Sequence, residues 1–325
     1  MAFSTDVLAI DLEAEAERIC ARIRHLVSHE LKRRGAVVAL SGGIDSSCVA
    51  ALCARALGKG RVFGLHMPER DSSPETLVLS QSVSEALGLD SAVEIITPVL
   101  EGLRCYQRRD DAIREVFPEF AEGWKAKIVL GGVGQGYNAY SVVIETPEGE
   151  LKRQRLPLRA YLQIVAATNF KQRTRKMLEY FHADRLHYAA TGTPNRLEYD
   201  QGFFVKGGDG LADLKPIAHL YKTQVYALAA HLGVPDEVCR RAPTTDTYSL
   251  AQGQDEFYFS LPYEQMDACL WGKNHGVPAA EVAAALGLSV EQIEWVYRDI
   301  EQKRATTRYL HLPAQLVEAV EELAP

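Results

Sequence analysis

No stretch of this chain is apolar for long enough to cross a bilayer, which takes about 20 residues. The beginning does not read as an export signal either, because its only candidate run is broken by Asp6, Asp11, Glu13 and Glu15. Cysteine is scarce and scattered, six in 325 residues with no Cys-x-x-Cys pair. That usage argues against a disulfide framework or a zinc site and fits reduced thiols in a cytoplasmic enzyme, with Cys48 and Cys53 packed in one helix. Positive charge is not in surplus: a net charge of −7 and a pI near 5.8 give no general attraction to nucleic acid or anionic lipid. Residues 285–289 imitate the turn of a helix-turn-helix, but Glu281, Glu291 and Glu294 surround them and the cations that phosphate contact requires are missing. A Walker ending (Gly-Lys-Ser/Thr) and a Gly-x-Gly-x-x-Gly fingerprint are absent as well, which weakens kinase-like and dinucleotide readings.

What is present is a strand, a small polar turn and a helix in direct succession from Val37 to Ser47. Val37 to Leu40 are continuously apolar, as a strand covered on both faces should be, and Ser46 to Leu57 resumes at helical spacing. Gly42 and Gly43 let the backbone approach an anion, and the free N–H groups of the helix supply donors and a positive dipole. Ser41, Ser46 and Ser47 add hydroxyls. Asp45 cannot itself hold phosphate, so its chemistry points to a metal ion that bridges to the phosphates.

The chain has room for one large α/β domain or two small ones. An amphipathic N-terminal helix with Leu12, Ile19, Ile23, Leu26, Val27 and Leu31 near one stripe leads to the first strand. A second strand spans 61–67, a helix capped by Ser73 with Pro74 at its first turn ends at Leu87-Gly88, and a third strand spans 92–96. This order implies right-handed crossovers, a doubly wound parallel α/β sheet with flanking helices, and ligands at the carboxyl ends of the strands. His66 and Met67 end the second strand and either border an adenine pocket or are packed core.

Between 100 and 160 the pattern changes. A helix is expected over 110–117, then the glycine stretch 131–136, then a β-hairpin of 140–145 and 150–156 turned at Thr146-Pro147-Glu148-Gly149. Such an inserted hairpin is a lid, a substrate wall, an oligomer contact or a surface excursion. A helix over 161–181 carries Asn169, Lys171, Arg173, Arg175 and Lys176, and the strand 186–191 runs into Gly192-Thr193 and Glu198. If that strand lies beside the first, Glu198 and Asp45 face one pocket, a pair suited to magnesium near a triphosphate. The C-terminal part reads as helices at 263–271, 279–286, 289–303 with a Ser289/Gln292 capping box, and 310–323.

The run Ser41-Gly42-Gly43-x-Asp45-Ser46 resembles the pyrophosphate loop of ATP-pyrophosphatase domains, which cut ATP between its α and β phosphates. Further motifs narrow the resemblance to the NAD synthetase family: Asn169-x-x-x-Arg173-x-Arg175, Gly192-Thr193 with Glu198, residues 202–213 from Gly202-Phe203-Phe204 through Lys206 and Asp209 to Asp213, then Pro216, Lys222-Thr223-Gln224, and Pro243-Thr244-Thr245-Asp246. Asp255-Glu256, Tyr263 and Asp267 follow in the family's order.

The resemblance implies an adenine nucleotide α-hydrolase-like fold and conversion of nicotinic acid adenine dinucleotide, ATP and ammonia to NAD, AMP and pyrophosphate through an acyl-adenylate. It implies ATP contacts from Ser41, Gly42, Gly43, Ser46, Ser47, Met67, Thr193 and Lys222, and Mg2+ held by Asp45, Glu198 and Thr244. Asp45, Lys222 and Thr244 would carry the chemistry, while Arg173, Arg175, Lys206, Asp209 and Asp213 would bind substrate. Residues 242–256 would close over the intermediate. A homodimer follows from the family, with the N-terminal stripe on offer for it. No glutaminase domain fits this length, so ammonia is free or comes from a separate glutaminase partner. The chain divides into residues 1–275, with the insertion at about 100–160, and a helical extension, 276–325. Val205, Gly207, Lys176 and Ser260 depart from the family's wording, so amidation of another carboxylate is the alternative within the enzyme class, and a non-catalytic nucleotide-binding protein the alternative outside it.

Overall fold

The computed structural model describes residues 3–130, 140–242, 247–250, 252–253, 258–259, 261–318 and 320. Helix α1 (Leu12–His25) starts where the Asp11 carboxylate accepts a hydrogen bond from the Ala14 N–H at 3.0 Å. Its apolar stripe, Ile19, Ile23 and then Val27, is buried in a cluster with α2 (Ile44–Leu57) and α8 (Lys222–His231). The stripe is therefore consumed inside the chain and is not on offer to a second copy.

Four parallel strands, β1 (Ala36–Ala39), β2 (Val62–His66), β3 (Asp90–Val93) and β7 (Ala189–Ala190), form a sheet in the order β3-β2-β1-β7. Alternate residues of β1 serve the two faces, as the period of a strand requires. Ala36 and Val38 pack toward α1 and α2, whereas Val37 packs with Leu65 and Ala190 under α4 (Thr97–Gly102), α5 (Cys105–Arg114) and α6 (Leu158–Leu186). Helix α3 (Pro74–Leu87) has the bounds the sequence predicts and ends at Gly88 in the left-handed region.

Several expected boundaries move. The third strand is Asp90–Val93 rather than 92–96: Ile96 is already the N-cap of α4, and Pro98 stands in the first turn of that helix. The helix expected over 110–117 is α5, which starts five residues earlier, at Cys105, and the strand expected over 186–191 shrinks to Ala189–Ala190 because α6 continues to Leu186 and His187 caps it at φ 57°.

The insertion is more than a hairpin. Strand β4 (Lys125–Leu130) joins β5 (Tyr140–Glu145) and β6 (Leu151–Arg155) in an antiparallel sheet of order β4-β5-β6. Gly149, at φ +85°, closes the β5–β6 turn by donating its N–H to the Thr146 carbonyl at 2.9 Å. Ala126, Ile128, Val142 and Ile144 pack with Phe117, Phe120 and Ile164 in a core of their own. The glycine stretch 131–136 lies outside the described residues.

After α7 (Arg196–Gln201), α8 and α9 (Asp236–Cys239), the helices α10 (Tyr263–Asn274), α11 (Ala279–Leu286) and α12 (Val290–His311) build a further core around Met266, Val282 and Ile293 that takes in Leu8, Leu197 and Tyr221. The Ser289/Gln292 capping box is present. The separate helix expected over 310–323 is not found among the described residues: α12 runs on to His311, and Pro313 stops it. No helix among the described residues is long and apolar enough to cross a membrane.

Candidate active site

A cavity of about 520 Å³ opens at the carboxyl ends of β1 and β7, where the chain passes from Leu40 into the N-terminus of α2. Gly42 has φ +70°, and a Cβ there would lie 2.8 Å from the Thr76 carbonyl oxygen, so both conformation and space demand glycine. The serines first hold the loop itself. Ser46 and Ser47 donate to the Gly43 carbonyl at 3.1 and 2.8 Å, Ser46 Oγ accepts from the Ser41 N–H at 3.3 Å, and Ser41 Oγ accepts from the Gly43 N–H at 3.3 Å. The first-turn N–H groups of α2 have no carbonyl within the helix to bond, and Gly43, Ile44, Asp45 and Ser46 of this turn line the cavity.

Asp45 is gripped from two sides. Lys222, at the start of α8, ion-pairs with Oδ2, and the Asn195 side-chain amide donates to Oδ1 at 3.0 Å. Burial by itself would lower the pKa of Lys222, but Asp45 and Glu198 outweigh it and hold the ammonium well above the usual lysine range. Asn195 also caps α7: its Oδ1 accepts from the Glu198 N–H, and a Glu198 carboxylate oxygen accepts from the Asn195 N–H, both at 3.2 Å. Asp45, Asn195 and Glu198 thus form one connected unit, with Thr193 lining the same cavity.

Helix α6 forms the opposite wall, and Arg173, Arg175, Lys176 and Glu179 all line it. Six cationic side chains against four anionic ones surround the space, a basic cavity in an acidic protein, which suits a polyphosphate. Arg175 donates to the Met67 carbonyl at 3.3 Å, beside an adjoining pocket of about 100 Å³ bordered by Met67, His66 and Ser41. His66 is packed core: its ring nitrogens meet Ser80 Oγ at 2.9 Å and Ser84 Oγ at 3.2 Å, and burial lowers its pKa.

The remaining substrate candidates separate. Asp209 lines the cavity, accepts from the Val205 N–H at 2.7 Å, and burial raises its pKa. Lys206 borders the cavity too, but its ammonium sits on the Tyr309 and Leu312 carbonyls at 2.7 and 3.1 Å, at the end of α12. Asp213 is not among the lining residues; it is exposed and accepts from the Ala190 N–H at 2.8 Å and from the Tyr180 hydroxyl at 3.1 Å. Thr244 lies outside the described residues, as do Asp246, Asp255, Glu256 and Ser260.

Sequence reading missed Asn195, although Asn-x-x-Glu is itself a capping-box signal. It also missed the aromatic wall of Tyr140, Tyr161, Tyr248 and Tyr258, for which no local pattern exists. Asp267 is fully buried beneath α8, accepting from the Lys222 and Thr223 N–H groups at 3.2 and 2.7 Å; burial, only partly offset by those bonds, pushes its pKa up to about 6.

Comparison with known proteins agrees with this geometry. The family model described as NAD synthase matches residues 15–121 and 140–309. A protein of Rhizobium meliloti named NH(3)-dependent NAD(+) synthetase is 58% identical over 99% of this chain and 97% of its own length, and a Mesorhizobium japonicum protein of the same name is 56% identical over 94% and 96%. Among solved structures, NMN synthetase from Francisella tularensis superposes with a TM-score of 0.64 at 19% identity, covering 95% of this chain and 99% of that one. An NH3-dependent NAD synthetase from Campylobacter jejuni gives 0.61 at 22% identity, covering 95% and 100%. These last two likenesses speak to the fold alone. The cavity at the phosphate loop, the motifs that surround it and the near-full-length relatives together make this chain a member of the NAD synthase family.

Proposed function

We propose that this chain amidates nicotinic acid adenine dinucleotide with ammonia at the expense of ATP, giving NAD, AMP and pyrophosphate. The observation that carries the reading is the convergence of Asp45, Glu198 and Lys222, with Asn195 bonded behind Asp45, on the N-terminus of α2 in one basic cavity. Family membership and the names of the full-length relatives support the same reaction.

In the first step a carboxylate oxygen of the acceptor attacks the α phosphorus, the bond to the bridging oxygen breaks, and pyrophosphate leaves. The α2 N-terminus with Gly42, Gly43, Ser41, Ser46 and Ser47 receives that anion, and Lys222, fixed in its charged form, offsets the charge that develops on it. Arg173 and Arg175 bind nucleotide phosphate, Thr193 contacts ATP, and Met67 borders the adenine. Lys206 and Asp209 serve the acceptor, whereas Asp213, expected with them, lies off the cavity lining on the Ala190 N–H and the Tyr180 hydroxyl. Ammonia then attacks the acyl carbon, AMP leaves, and one proton is released. Water must be kept from the adenylate, which the aromatic wall supports.

Magnesium commonly takes one or two protein carboxylates and completes its shell with phosphate and water. The donors here fit that habit, since Asp45 and Glu198 share a cavity and a connecting asparagine, with Thr244 the third candidate. Among the described residues no cluster of three or more metal-ligating side chains offers an all-protein cage. When bound, the ion would neutralise pyrophosphate charge.

Six free cysteines support a cytoplasmic setting. A homodimer, ammonia taken free or from a separate glutaminase partner, and residues 276–325 as an extension of a 1–275 unit complete the proposal. Incubation with ATP, magnesium, ammonia and either nicotinic acid adenine dinucleotide or its mononucleotide tests it: AMP and NAD in equal amounts are expected with the dinucleotide. ADP and phosphate, or preference for the mononucleotide, overturn it.

A further inference from the structure

The inserted sheet has an open edge, and one segment from outside the insertion occupies it. In an antiparallel pair alternate residues turn their N–H and C=O away from the partner strand, and in β4 these groups at Ala126 and Ile128 face outward from β5. The Ala126 N–H donates to Ser249 Oγ at 3.0 Å, the Ala126 carbonyl accepts from the Leu250 N–H at 3.2 Å, and the Ile128 carbonyl accepts from the Gln252 side-chain amide. Tyr248 is buried in the core of the insertion.

A second, independent set of contacts ends on the same segment. The buried ammonium of Lys171, on α6, has three donors and uses them on Glu69 Oε1, Asp71 Oδ2 and the Thr247 carbonyl, each at 2.8 Å. Helix α5 of the insertion braces those acceptors: Arg109 ion-pairs with Asp71 at 2.5 Å, and the Tyr106 hydroxyl donates to Glu69 at 2.7 Å. The segment so held begins at the cavity, because Thr247 and Tyr248 line it together with Arg241 and Ala242 from the near side.

We infer that the inserted unit, α5 with β4–β6, is the seat that fixes residues 247–250 and Gln252 at the cavity rim, and that Lys171, Ser249 and Gln252 are positioning residues for the ATP-consuming step. The catalytic consequence rests on the function proposed above, because Thr244 falls in sequence between Ala242 and Thr247; the seat itself rests on the contacts alone. A seat for this segment is none of the four roles expected of an inserted hairpin, and it uses the edge that β4 leaves unpaired within its own sheet.

The test is a Ser249→Ala/Gln252→Leu double variant of the full chain, beside Ile128→Val, which thins the same core and keeps the edge pairing. In the double variant kcat for AMP release should fall at least tenfold while the KM for ATP moves less than twofold. Chymotrypsin should cut after Tyr248 at least tenfold faster. Ile128→Val should match or exceed the loss in melting temperature and retain kcat. Unchanged cleavage overturns the seat; faster cleavage with unchanged kcat, or an equal kcat loss in Ile128→Val, overturns the positioning role. If the wild type makes no AMP, the function reading fails instead, and cleavage still decides the seat.

Discussion

Asn195 holds Asp45 by its side-chain amide at 3.0 Å while its own backbone N–H is held by Glu198, so the two carboxylates of the site are set by one asparagine. The same side chain caps α7, and the two duties can be separated. Asn195→Ala should lose both: about 1 kcal/mol of stability from the cap and at least tenfold in AMP formation, about 1.4 kcal/mol in barrier. Asn195→Asp keeps an N-cap acceptor but sets a third carboxylate against Asp45. Its melting temperature should recover most of the loss and its rate should not. Equal recovery of both would reduce Asn195 to a helix cap.

Asp45→Asn and Glu198→Gln should each lower AMP and pyrophosphate formation by a hundred- to a thousandfold, about 3–4 kcal/mol, if both carboxylates serve the same ion. The double variant should be little worse than either single one. The structure adds a distinction in stability. Lys222 is buried against Asp45, so Asp45→Asn strips a buried cation of its nearest partner and should cost about 3 kcal/mol or more in urea unfolding. Glu198→Gln leaves that pair intact and should unfold near the wild-type midpoint. Near-normal AMP rates in both single variants would remove the metal assignment and leave the overall reaction standing.

The phosphate loop was legible because everything that makes it is local: an apolar strand, two glycines and a helix start within a dozen residues. The grip on Asp45 was not, since Lys222 lies 177 positions away and nothing in either neighbourhood announces the pair. Glu198 was placed correctly beside Asp45 by strand order, and the parallel pairing of β1 with β7 is the reason. Strand β4 escaped because its pattern, Ala126 and Ile128 alternating with Lys125 and Lys127, is short and its partner lies beyond the glycine stretch. The α1 stripe offers itself as a docking face in the sequence, which does not say whether an apolar stripe is covered by its own chain or by another. Here α2 and α8 cover it.

Asp267 makes stability depend on pH. Its carboxyl is pushed from 3.8 to about 6, so between those values the folded state binds a proton that the unfolded state does not. Stability therefore falls as pH rises through that window, by about 3 kcal/mol at most for a shift of about two units at 1.36 kcal/mol each. Asp267→Asn abolishes the titration and keeps an acceptor for the start of α8. Urea unfolding at pH 4 and pH 7 should show the variant gaining on the wild type as pH rises. A difference that is flat with pH would mean that the carboxyl titrates normally.

The last prediction concerns the second copy. With the α1 stripe buried, an exposed apolar face lies on α6, where Leu158, Leu162, Met177 and Phe181 are 71%, 54%, 58% and 56% exposed. At 100° per residue these four fall within an arc of about 140° on one helix, a span of about 35 Å. Val99 and Leu103, near the end of α4, are exposed as well, at 39% and 40%. The four on α6 form two pairs, Leu158/Leu162 and Met177/Phe181, with Asn169 and Arg173 of the cavity wall between them; single exposed leucines need no explanation, but two such pairs on one helix mark an interaction surface. Covering a large apolar side chain stabilises by about 1.5–3 kcal/mol, so the two pairs suffice to hold a dimer once the cost of association is met. Light scattering at micromolar concentration should give about twice the chain mass of 36.0 kDa. Leu162→Glu/Phe181→Glu should give the single mass, since two buried carboxylates would lack partners. A wild-type monomer removes the dimer, and a double variant that still dimerises keeps the dimer and moves its interface off α6.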